Sequence, residues 1–69
     1  MITKMAILAI DGIYYQAKYE EVYHETEEIK QMIQWAADGL ELIKAGASQA
    51  KIIELIDQAE IFAAELKKY

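Results

Sequence analysis

Apolar residues recur at helical spacing along most of this chain. From Gln49 to Lys68, Ile52, Leu55, Ile56, Ala59, Phe62, Ala63 and Leu66 return every three or four residues, which predicts an amphipathic helix. Upstream, Val22, Thr26, Ile29, Ile33, Ala36, Leu40 and Ile43 alternate strictly between steps of four and three. That is a heptad seam over three repeats. Carried backwards, the seam meets Tyr19, Tyr15, Gly12, Leu8 and Met5 and predicts a continuous or kinked helix there too.

Breaks in this pattern are few. Gly46 in Ala45-Gly46-Ala47-Ser48 suits the left-handed residue that ends a helix, and Ser48 suits the cap that starts the next. Thr26, followed by Glu27 and Glu28, marks a second possible start. Asp11-Gly12, between Met5–Ile10 and Ile13–Ala17, is a two-residue hairpin signal. The alternative reading is therefore an N-terminal β-hairpin over 4–17 followed by two helices. Asp-Gly recurs at Asp38-Gly39 inside a helical period, and the clean backward seam favours helix over the first 18 residues. Glu27 with Lys30, Glu41 with Lys44 and Glu65 with Lys68 have the spacing of helix-stabilising pairs.

The fold expected is all-α: one domain over 1–69, a helical hairpin with an N-terminal helical extension, packing as a dimeric helix bundle. A chain of 69 residues buries only about 60% of its unfolded surface and needs a staple. Cysteine is absent and His24 is the single histidine, so neither disulfides nor a structural zinc supplies one. Two hairpins face to face make a core that one cannot. The residues expected in that shared core are Val22, Ile29, Ile33, Ala36, Leu40, Ile43, Ile52, Leu55, Ile56, Ala59, Phe62 and Leu66.

Charge narrows the partners. Twelve acids against seven basic residues, all Lys, leave a net charge of −5. Phosphate-rich partners need clustered Lys and Arg, so neither nucleic acid nor an anionic membrane surface is expected. The apolar run Met5–Ile10 is shorter than a signal core of about 7–15 residues or a span of about 20. The expected location is the cytoplasm.

The chain offers little for catalysis. No cysteine is present, Ser48 is committed as a cap, and His24 alone makes no triad. Glu21-x-x-His24 has the spacing that ferritin-like bundles use for two metals, and Glu54 on another helix could join it. Glu25-x-x-Glu28 with Glu54-x-x-Asp57 is similar to the paired acidic motifs of the all-α nucleoside triphosphate pyrophosphohydrolases. That resemblance implies a magnesium site. Those enzymes have more helices than this chain supplies, and they carry Lys or Arg beside the phosphates. A carboxylate-rich metal- or nucleotide-binding site at the dimer interface is thus the alternative, and no cofactor is expected.

The leading expectation is a non-enzymatic interaction module that binds and modulates or inhibits another protein. Small acidic chains of phage and mobile-element inhibitors are its analogues in size and composition. Glu20, Glu21, Glu25 and Glu28 form an acidic run that suits a basic partner. Tyr14 and Tyr23 lie off the seam, and tyrosine joins an apolar body to a polar tip. Met32, Trp35 and Leu42 form a second apolar strip flanking the seam.

Overall fold

The computed structural model describes residues 2–69 and consists of three helices in sequence. These are α1 (Ile2–Tyr23), α2 (Glu27–Lys44) and α3 (Gln49–Leu66). They run up, down and up, and the molecule measures 35 × 19 × 15 Å.

Side-chain caps set both helix starts that follow a break. The Thr26 hydroxyl accepts from the Ile29 amide at 3.2 Å, and the Ser48 hydroxyl accepts from Lys51 at 3.2 Å. Each satisfies one amide that the helix itself leaves without a partner. Glu27 and Glu28 in the first turn of α2 and Lys44 in its last complement the helix dipole. At its C-terminus Gly46 takes φ 89°, the amide of Ala47 reaches the Leu42 carbonyl, and that of Gly46 reaches Ile43. This is the Schellman arrangement, and it turns the chain into Ser48.

Residues 2–18 are helical. No strand occurs among the described residues, and Asp11-Gly12 lies inside α1, so the alternative β-hairpin over 4–17 is not formed. A two-residue hairpin of that kind needs positive φ at its centre, and Gly12 has none. Ala6, Ile10, Ile13 and Ala17 are instead buried together, and Ile10, Ile13 and Ala17 pack with residues of α2 and α3, which they can do only at helical spacing.

α1 is the central element. It packs closely along both α2 and α3, whereas the backbones of α2 and α3 stay mostly apart. The main helix pairs are thus α1 with α2, a hairpin closed by residues 24–26, and α1 with α3. α2 and α3 touch through side chains, chiefly Trp35 edge-on to Phe62 with ring centroids 5.0 Å apart.

The core has two adjoining parts. Ile13, Ala17, Ile29, Met32, Ala59 and Leu66 form one, and Ile10, Ala36 and Leu55 the other, with Trp35 packed against both. Burying a large apolar side chain contributes roughly 1.5–3 kcal/mol. Gly39 lets α1 come close: a Cβ there would lie 3.3 Å from Ile10 Cδ1 and 3.5 Å from Leu55 Cδ2.

The backward seam is rotated out of this core. Met5, Leu8, Tyr15 and Tyr19 are all exposed, and the interior line of α1 is Ala6, Ile10, Ile13 and Ala17. Both lines step by three and four, so period alone does not choose between them. On α2 the interior line is Ile29, Met32, Ala36 and Gly39, with Ile33, Leu40 and Ile43 half-buried beside it. α3 buries Ile52, Leu55, Ala59 and Leu66 and leaves Ile56 and Phe62 half-buried. Val22 is 76% exposed. α3 ends at Leu66, so Lys67 caps it and Lys68 lies beyond, two residues short of the helix expected to Lys68.

Candidate interaction surface

The acidic run folds into one end of the molecule. The last turn of α1 carries Glu20 and Glu21, the link to α2 carries His24 and Glu25, and the first turn of α2 carries Glu27 and Glu28. Glu20 and Glu21 are half-buried, and the rest are exposed. The C-terminal residue returns to this end. The Tyr69 hydroxyl donates to Glu28 Oε1 at 2.7 Å, and its ring lies tilted by 40° against that of His24 with centroids 5.3 Å apart. His24 Nε2 lies 3.9 Å from Glu20 Oε1. The hydrogen bond to Glu28 is the main reason the Tyr69 phenol is held above its ordinary pKa of 10.0. Ionising it would remove the donor and set a phenolate against a carboxylate.

The aromatic candidates divide. Tyr23 is exposed beside the acids, tilted against Tyr19 with centroids 5.4 Å apart. Tyr14 is half-buried, edge-on to Tyr15, with Lys18 Nζ 5.9 Å from its ring centroid. The strip on α2 also divides. Met32 is fully buried in the chain's own core, Trp35 is half-buried against Phe62, and Leu42 is exposed towards the far end of α2. Tyr23 and the four acids Glu20, Glu21, Glu25 and Glu28 therefore share one end, while Tyr14 and Leu42 lie away from it.

The metal candidates are not gathered. Glu21 and His24 sit at the acidic end, while Glu54 is near the start of α3, about 18 Å along the helix from Leu66. Glu54 pairs with Lys51 at 3.2 Å. No group of three or more His, Asp or Glu is placed to hold a metal ion among the described residues. Nor is any helix long and apolar enough to cross a membrane.

Two features of this surface were not singled out from sequence. Tyr69 reaches Glu28 across 41 residues of chain, which no local pattern signals. The second is a shallow apolar groove of about 440 Å³ between α1 and α3, floored by Gly12, Ile13, Ala59 and Ala63. Leu8 and Gly12, which line it, belong to an exposed line whose large residues Met5, Leu8, Tyr15, Tyr19 and Val22 are each at least 60% exposed. The heptad spacing of that line was visible in sequence, but its outward direction was not. No protein family, no curated protein and no solved structure matches the chain.

Proposed function

We propose that this chain is a non-enzymatic interaction module that self-associates and binds a basic partner protein, modulating or inhibiting it. The acidic end formed by Glu20, Glu21, Glu25 and Glu28, with Tyr23 beside it, is the partner surface. Acids clustered around an exposed aromatic speed encounter with a basic surface and fix its orientation. The observation that carries the reading is the amount of large apolar surface left open on α1. Contiguous patches beyond a few hundred Å² mark interaction sites.

Photocrosslinking in the source cells tests the partner surface. A benzophenone amino acid at Tyr23 should give a covalent adduct with a second protein. That adduct should disappear when Glu20, Glu21, Glu25 and Glu28 are all changed to Gln, while helicity is kept. An adduct that survives the four substitutions removes the acidic-docking reading. Adducts only of the mass of this chain with itself remove the second partner.

A further inference from the structure

α1 carries apolar residues on nearly every side, the composition of a helix enclosed all round. Its own chain encloses only the side of Ala6, Ile10, Ile13 and Ala17. Met5, Leu8, Gly12, Tyr15, Tyr19 and Val22 form a second line, exposed throughout and spaced three and four apart. That is the period of a seam between two helices. The five large side chains leave on the order of 600 Å² open, so two copies together reach the ~1,200 Å² at which specific interfaces begin.

Gly12 adds a second observation. Nothing lies within 4 Å of where its Cβ would be. Gly39 is small because Ile10 and Leu55 press on it; Gly12 has no such neighbour in its own chain. A glycine in mid-helix weakens the helix, and here it opens the groove beside it.

We propose that a second copy of this chain covers the line, with the two α1 helices antiparallel and in a single register. This rests on the self-association in the preceding reading. In an antiparallel seam the two kinds of core position face each other. Setting Gly12 opposite Tyr15 of the second copy also sets Leu8 opposite Tyr19 and Met5 opposite Val22. Each tyrosine ring then lies over the other copy's glycine or leucine, and the groove between α1 and α3 receives the ring of Tyr15.

The flanking charges select this register. Lys4, Asp11 and Lys18 each precede a seam residue and line one flank, and Glu25 follows in the link that leaves the helix at that end. Among the described residues none of the four forms an ion pair. In this register Asp11 faces Lys18 of the second copy and Lys18 faces its Asp11, while Lys4 at each end lies towards the acidic end of the other copy. Sliding by one heptad in one direction sets Asp11 against Asp11 and Lys4 against Lys18. Sliding in the other sets Lys18 against Lys18 and brings Asp11 towards the acidic end. A parallel pair places the charged flank against Ala9, Gln16 and Tyr23, where no charge answers it. Like charges placed opposite one another exclude the wrong arrangements.

Sedimentation of the purified chain at physiological salt tests the proposal. The wild type should show a monomer–dimer equilibrium. Asp11→Lys and Lys18→Asp should each weaken the dimer about tenfold, because every substitution acts twice across the symmetry axis. An equimolar mixture of the two variants should restore a dimer of wild-type strength, since each then presents the charge that the other lost. Gly12→Leu should give a monomer that stays helical by circular dichroism. A wild type that stays monomeric at high concentration overturns self-association itself. A dimer indifferent to the two charge changes, or weakened by both and not restored by mixing, overturns the register and leaves self-association standing.

Discussion

Ile10 and Leu8 are two residues apart on α1, both apolar, and the fold gives them opposite roles. Ile10 is fully buried among Ala36, Leu55 and the close approach at Gly39. Leu8 is 64% exposed. Ile10→Ala removes buried methyl groups and leaves a cavity between three helices, which costs about 3–4 kcal/mol. A domain of this size holds roughly 3.5–10 kcal/mol in total. The loss thus takes a large share of it and lowers Tm by about 12–30 °C. Leu8→Ala in the monomer removes little buried surface and should cost less than about 0.5 kcal/mol. Urea unfolding followed by far-ultraviolet circular dichroism, at concentrations where the chain is monomeric, measures both. Equal losses, or a larger loss at Leu8, would refute this placement of α1 and restore the face read from the backward seam.

The remaining predictions concern caps, glycines and one phenol. Thr26→Ala and Ser48→Ala should each cost about 1 kcal/mol in the same urea assay, and Gly46→Ala should cost about 1–2 kcal/mol because φ is 89° there. Gly12→Ala should stabilise the monomer by up to about 1 kcal/mol, the helix preference of alanine over glycine. Gly39→Ala should show no such gain, since its Cβ meets Ile10 Cδ1 at 3.3 Å. The Tyr69 phenol is raised above 10.0 by its bond to Glu28. Its contribution to stability is therefore complete below about pH 10 and is lost as pH climbs through the raised value. Ultraviolet titration should show one late tyrosine that vanishes in Tyr69→Phe; identical curves for the two proteins would exclude the bond.

What the sequence made legible was local. The turn at Gly46 and Ser48 depends on residues adjacent in the chain, and its chemistry is specific to them. The break at Thr26 is similar: a hydroxyl, two acids and an apolar run are enough to start a helix. On α3, Ile52, Leu55, Ala59 and Leu66 stand out because the acids Glu54, Asp57, Glu60 and Glu65 fall on the side of the helix away from them. α1 offers no such contrast. Its lines 6-10-13-17 and 5-8-12-15-19-22 are both heptadic and both apolar, and only the shape of the neighbours decides between them. The small residues Ala6, Ala17, Ala36 and Gly39 carry that decision, because they let helices approach closely. A reading that ranks positions by hydrophobicity passes over them. On α2 the same effect turns the interior from Ile33, Leu40 and Ile43 towards Met32 and Gly39. The acidic end was visible as a run, whereas the closing of Tyr69 onto Glu28 and His24 is a product of topology.

The central place of α1 also sets the order in which contacts can form during synthesis. α1 precedes both of its neighbours along the chain, so it emerges from the ribosome ahead of them. α2 follows within a short link, and the hairpin of α1 and α2 can close on local contacts, the quick kind. The strip of α1 that meets Ala59 and Leu66 stays bare until α3 emerges some 40 residues after its partners, on the order of seconds later. During that interval α1 shows apolar residues on two sides at once. The nascent chain is then at its stickiest.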